Sequence, residues 1–213
     1  MARFHLNLEL PAASWTRRFV LHSCIAIRLT GLALGAPPAY DPVRHFETDF
    51  DTGILWRVTG DGTPLKYVIL PQVLTVTTPL VGTIRPLAGG DFVVRGRYSL
   101  LAEPVVRGPE HHYLGASAGE LLEWWDAART RALFFSAGGG IGWVDSKGHE
   151  IPGALGEDFN FNWFAYPGAR IILRGRMSAT FGVYFQHISN SGFSKINPGL
   201  NAVGPMVGIG WHF

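Results

Sequence analysis

From Pro42 onward the apolar residues recur mainly with period two, and no long segment holds a 3.6-residue period, so strands are expected and helix is the minority element. Between turn signals the pattern predicts strands at 46–58, 66–78, 91–103, 113–124, 132–144, 159–173, 177–189 and 201–213. An even number of long antiparallel strands is the plan of a barrel that crosses a membrane. The alternation is cleanest in 201–213. Val203, Pro205, Val207, Ile209, Trp211 and Phe213 form a bulky face, and Ala202, Gly204, Met206, Gly208, Gly210 and His212 a mostly small one. A soluble sandwich would place charges on the second face, whereas small residues suit the crowded lumen of a narrow barrel with the bulky set facing lipid.

Two earlier strands repeat the pattern. Phe46, Phe50, Ile54, Trp56 and Val58 oppose Glu47, Asp49, Asp51 and Arg57, while Phe92, Val94, Tyr98 and Leu100 oppose Asp91, Arg95, Arg97, Ser99 and Glu103. A polar, salt-bridged lumen follows, filled by side chains and not conducting. The strands at 66–78 and 113–124 alternate poorly and leave their facing open. By parity Trp56, Trp143, Trp163 and Trp211 point outward as interface anchors. Outer loops are expected near 59–65, 104–112, 145–158 and 190–200, and inner turns near 79–90, 125–131 and 174–176, the first of these long for an inner turn. The expected fold is therefore all-β: an eight-stranded antiparallel up-and-down outer-membrane β-barrel over 41–213.

Composition agrees. The 213 residues are 47% hydrophobic and only 16% charged, with 27 glycines, which is apolar and glycine-rich for a soluble domain. A net charge of +2, spread over single basic residues, gives no nucleic-acid footprint. Cys24, the one cysteine, excludes an internal disulfide framework and a multi-cysteine zinc site. Residues 17–36 have paired arginines, an apolar stretch and a small-residue end, roughly the plan of an export signal, although His22 and Arg28 interrupt it; residues 1–40 are expected to be an export signal or leader. His111-His112 lacks a third ligand at a recognisable spacing, and Gly138–Gly142 sits within a strand without the lysine of a phosphate loop, so no metal or organic cofactor is expected.

The residues that suggest chemistry lie between Phe185 and Asn201, in FQHISNSGFSKINPGLN. His187 and Ser189 share a strand face with Phe181, Val183 and Phe185. With the following hairpin centred on Lys195, Ser189 would pair with Asn201 and His187 with Val203, so His187, Ser189 and Asn201 converge on the outward side. A hydroxyl, an imidazole and a third polar group that fixes the imidazole tautomer are the parts for acyl transfer. Asn190 and Gly192 are candidate oxyanion contacts. The same residues also read as interface polars and turn formers, and spacing does not choose between the two readings.

His187-Ile188-Ser189-Asn190-Ser191-Gly192 is similar to the His-x-Ser-Asn-Ala-Gly run of the PagL-type lipid A deacylases, grouped with acyloxyacyl hydrolases. Asn197-Pro198-Gly199-Leu200-Asn201 and the closing strand Gly204–Phe213 with its terminal aromatic also resemble that family. The resemblance spans about 45–213, but its specific motif is confined to the last two strands. It implies an integral outer-membrane hydrolase that removes the ester-linked acyl chain at the 3-position of lipid A. His187 is then the base, Ser189 the nucleophile, and Asn190 and Gly192 lie near the oxyanion. Where such deacylases place a glutamate this chain has Asn201, which can orient an imidazole but cannot stabilise its cation by charge. Glu157 and Asp158 are poor substitutes: with Phe161 opposite Ser189, Glu157 is roughly 13 Å farther along. The expected partners are lipopolysaccharide of the outer leaflet and the membrane, with a homodimer an open option. Two other readings stay open, a non-catalytic structural or surface-binding outer-membrane barrel and a soluble barrel that binds an apolar ligand.

Overall fold

The computed structural model describes residues 41–58, 62–84 and 91–213, all within one compact unit, Leu34–Phe213. The expected leader at 1–40, Cys24 included, lies outside the described residues. Ten strands form: β1 (Glu47–Gly53), β2 (Leu55–Arg57), β3 (Val68–Ile69), β4 (Gln72–Ile84), β5 (Asp91–Arg107), β6 (His112–Trp125), β7 (Arg131–Val144), β8 (Phe159–Ile172), β9 (Met177–Ser189) and β10 (Leu200–His212). The strands β2 and β3 prolong β1 and β4 beyond short breaks at Ile54 and Leu70-Pro71. The eight long strands pair antiparallel with their sequence neighbours, and β10 returns to β1 with Glu47 opposite His212. Closure leaves no free sheet edge among them, which is what allows a sheet to stand in hydrocarbon. No described helix is long and apolar enough to cross a membrane, but a barrel crosses with its strands.

The faces follow parity. On β10 the odd positions Val207, Ile209 and Trp211 are more than half exposed while Met206 and His212 are buried. Phe46, Phe50 and Trp56 face out as Glu47, Asp49 and Asp51 face in. Large apolar side chains outside and carboxylates inside invert the order of a soluble barrel and match one surrounded by lipid. Trp56, Trp143, Trp163 and Trp211 are all exposed, as their parity requires.

The lumen is layered, and at the turn end Val43, Val93, Trp125, Ala132 and Ile172 form a buried apolar cluster. Toward the turn end Glu47, Asp49, Asp51 and Glu123 meet Arg95, Arg97, Arg170 and His212, with Glu47 bound to both Arg95 (3.3 Å) and Arg170. Gly208 and Gly210 of β10 face this network, where an added Cβ would run into Asp51, Thr180, Asp49 and Glu47. Arg97 marks the boundary, its guanidinium 5.2 Å from the Phe164 ring and 5.3 Å from that of Tyr166. Toward the loop end Leu55, Ile69, Val73, Tyr113, Tyr184 and Ile188 pack together, and Leu121 and Phe134, opposite Arg95 and Glu123, extend that cluster down beside the charges. A void of about 10 Å³ beside Asp49, Asp51 and Arg97 has room for roughly one water.

The expected polar, salt-bridged lumen is found as an ionic layer, with apolar clusters toward both ends that the sequence reading did not anticipate. The cluster toward the loop end explains why 66–78 and 113–124 alternate poorly: Val73, Tyr113 and Leu121 point inward, so both faces of those strands carry apolar residues. The first half of the turn expected at 79–90 is strand, and 85–90 lie outside the described residues. Chain β4 continues to Ile84 through register shifts between Thr77 and Gly82, around Pro79, which has no N–H to give the ladder. There Thr78 Oγ1 accepts the Gly96 N–H at 2.9 Å and the Thr78 carbonyl accepts Arg95 Nε at 2.7 Å. At the other end β5 runs on to Arg107, which shrinks the expected 104–112 loop to 108–111.

Candidate active site

Three adjacent strands build the site on the outward side near the loop end. Across them Trp163 of β8, His187 of β9 and Asn201 of β10 lie in one row, and Phe161 lies beside Ser189 in the next. The β8–β9 register is as anticipated, with Phe161 opposite Ser189. The β9–β10 register is not. Asn201 pairs with His187 and not with Ser189, a shift of two residues from the Lys195-centred hairpin. The loop itself sets this register. Asn190 N–H donates to Asn197 Oδ1 (3.1 Å) and Asn190 Nδ2 to the Ile196 carbonyl (2.9 Å), so 190–197 closes on its own contacts.

The shift brings the three side chains into a chain of hydrogen bonds. His187 Nδ1 lies 2.7 Å from Asn201 Oδ1, and His187 Nε2 lies 2.9 Å from Ser189 Oγ. An amide oxygen only accepts, so Nδ1 carries the proton and Nε2 offers its lone pair to the serine hydroxyl. All three residues are half-buried on the outer surface.

Asn190 and Gly192 sit next to this chain, but their donors are already engaged. Asn190 is buried, with Nδ2 on Ile196, and the Gly192 N–H donates to Asn190 Oδ1 at 3.0 Å. Residues Asn190–Phe193 form a turn closed by Phe193 N–H to the Asn190 carbonyl (3.0 Å), with Ser191 at φ 55° and Gly192 at φ 84°. Two consecutive left-handed residues make a type I′ turn, which glycine at the second position favours. Asp158 is remote in role, its carboxylate accepting the Ser146 N–H at 3.0 Å, and Glu157 stands in the same loop before β8.

Several residues that shape the site were not assigned to it from the sequence, where Trp163 was read only as an outward interface anchor. Trp163 stacks on the His187 ring with centroids 5.9 Å apart and planes at 30°, and is itself held against Phe185 at 4.8 Å. Gly199 has φ +64°, and a Cβ there would stand 3.2 Å from His187 Cε1. The Pro198-Gly199 pair was its only sequence signal. Edge-to-face contacts join Trp143, Phe159, Phe161 and Phe193 in an aromatic strip beside Ser189.

The loops hold the row from above. Thr63 N–H donates to the Gly199 carbonyl (2.7 Å) and Val58 N–H to that of Asn201 (2.9 Å). Buried Glu110 accepts from Tyr67 Oη (2.5 Å) and from Leu155 N–H (2.8 Å), tying three loops together. Burial, reinforced by that carboxylate, pushes the Tyr67 phenol up and keeps it a donor. His111 and His112 both turn to Asp145, and among the described residues no group of three or more His, Cys, Asp and Glu converges as metal ligands would.

A closed barrel with an apolar exterior, carrying a serine–histidine–asparagine hydrogen-bond chain on that exterior, defines the class as a membrane barrel with a polar row on its outer wall. The model of the PagL family, described as lipid A 3-O-deacylase, matches residues 87–210, which include β5 to β9, all but the last two residues of β10 and every residue of the row. The chain belongs to that family. A solved structure, the outer membrane enzyme PagL, is similar at 14% identity with a TM-score of 0.49, covering 76% of this chain and 97% of that one. No curated protein matches the chain.

Proposed function

We propose that this protein is an integral outer-membrane esterase that removes the 3-O-linked acyl chain of lipid A through Ser189 and His187, with Asn201 holding the imidazole. The observation that carries the reading is the unbroken chain from Asn201 Oδ1 through both imidazole nitrogens to Ser189 Oγ, at 2.7 and 2.9 Å. A polar row of this kind on a lipid-facing surface has no packing reason to be there, and family membership supplies the substrate class.

In the proposed reaction Ser189 Oγ bonds to the ester carbonyl carbon as its proton passes to His187 Nε2. Collapse of the tetrahedral intermediate breaks the bond to the sugar oxygen, which takes that proton from Nε2. Water, deprotonated by the same nitrogen, then attacks the acyl-serine ester and releases a 3-hydroxy fatty acid, returning the proton to Ser189. The aromatic strip through Phe161 and Phe193 gives the acyl chain an apolar surface beside the nucleophile. Asn190 and Gly192 contribute by holding the turn after Ser189, and they donate to the oxyanion only as their loop bonds open or bifurcate.

The test is lipid A mass spectrometry with purified, heat-modifiable protein. Ser189→Ala should reduce fatty acid release by on the order of 10³-fold or more while leaving the barrel folded. Release that persists in the variant refutes the assignment and leaves a structural or surface-binding barrel.

A further inference from the structure

A base that must carry a proton through the transition state needs something to stabilise its cation, and here the hydrogen-bond partner is a neutral amide. Among the described residues, the groups placed against the His187 ring are Asn201 of β10, Ser189 of its own strand, the Gly199 backbone and Trp163 of β8, none of them a carboxylate. Asn201 lies in the plane of the ring at Nδ1, so it fixes rotation and tautomer but adds no opposite charge. Trp163 lies alongside the ring in a tilted, stacked arrangement. Its centroid is 5.9 Å from that of the imidazole at a 30° tilt, within the range over which an indole π-face attracts a cation.

The indole is also held in place. It stands directly across the β8–β9 ladder from His187, and Phe185 packs on it at 4.8 Å. Because 49% of the Trp163 surface is exposed on the apolar side, the contact sits where lipid rather than water adjoins it, and weak screening strengthens attraction between a cation and a ring quadrupole.

We propose that Trp163 is a positioning residue that stabilises, through its π-system, the imidazolium formed when the Ser189 proton reaches His187 Nε2, a charge that the neutral Asn201 amide does not oppose. Asn201 and Trp163 thereby divide two tasks: the amide orients the imidazole, and the indole stabilises its cation.

The inference rests on the deacylase reading, and its experiment separates the two. Fatty acid release by wild type, Trp163→Phe and Trp163→Leu is measured, each alone and combined with Asn201→Glu, with heat-modifiable migration confirming the fold. In Trp163→Leu kcat should fall about five- to thirty-fold with KM within twofold, and Trp163→Phe should recover most of the loss. In the Asn201→Glu background the same Trp163→Leu change should cost no more than about twofold, because the new carboxylate already bears the cation. A rise in KM at unchanged kcat, equal losses for Phe and Leu, or equal losses in both backgrounds overturns the proposal. Emission of Trp163, isolated as the difference between wild type and Trp163→Phe, should follow imidazole protonation and cease to do so in His187→Phe. Emission that ignores pH in the wild type also overturns it. No release from any protein refutes the deacylase reading, whereas release indifferent to Trp163 refutes this inference alone.

Discussion

Two polar clusters of this barrel differ in where their valences point. The ionic layer of the lumen places Glu47, Glu123, Arg95 and Arg170 side chains at no more than 4% exposure, each charge against an opposite one. The row on the outer wall is uncharged and half-exposed, with its terminal hydroxyl turned toward the lipid side. Charges enclosed together and paired across strands hold those strands in register. A hydroxyl bonded to an imidazole at the surface stabilises little, and in the proposed reaction it is the group that reacts. Stability and the proposed chemistry thus fall on the two faces of the same strands, since β9 gives Ser178 and Thr180 to the network and carries His187 and Ser189 on its outer face.

Breaking the inner cluster should have the largest effect. Glu47→Ala leaves Arg95 and Arg170 short of a partner and should cost about 3–5 kcal/mol, read as a lower urea midpoint for barrel unfolding, with any protein that does fold retaining acyl release. Gly199→Ala strikes the outer row instead. Forcing a Cβ into φ +64° should cost about 1–2 kcal/mol, and its contact with Cε1 should tilt the imidazole and reduce kcat at least ~10-fold. Asn201→Glu sharpens the contrast by adding charge to the neutral row, and about a tenfold rise in turnover is expected with the unfolding midpoint nearly unchanged. No gain would reduce Asn201 to a packing role.

The smallest effect belongs to the rim. Partial burial pushes the Asp145 carboxyl up, but hydrogen bonds from the His111 ring and from the His111 and His112 backbone outweigh it and hold the group at about 2. A depressed carboxyl contributes its stabilisation above its ordinary value of 3.8 and loses it as pH falls toward 2. Asp145→Asn should therefore speed proteolytic nicking of 145–158 at neutral pH, while the difference from wild type disappears near pH 2.

How much of this was legible in the sequence depends on the range of the interaction. The facing of β1, β5 and β10 is a local matter, because a strand turns over every two residues and Phe50 is exposed wherever Asp49 and Asp51 are buried. The motif from His187 to Gly192 likewise names the nucleophile and base candidates within one strand. The facing of β4 and β6 was hidden because Val73, Tyr113 and Leu121 fill a lumen layer whose apolar character arises only when eight strands close around it. The pairing of Asn201 with His187 was missed by two residues, since loop length does not show that Asn190 would bind Asn197 and Ile196 and close the hairpin off centre.

Alone, the order of residues determined that the chain makes eight long strands with a lipid-compatible outer face and carries a histidine and a serine on that face. Only the closed barrel decided which side chains meet. The joining of Trp163, His187 and Asn201 across β8, β9 and β10 depends on register, and register depends on how each hairpin closes and how tightly the lumen glycines admit the charges behind them.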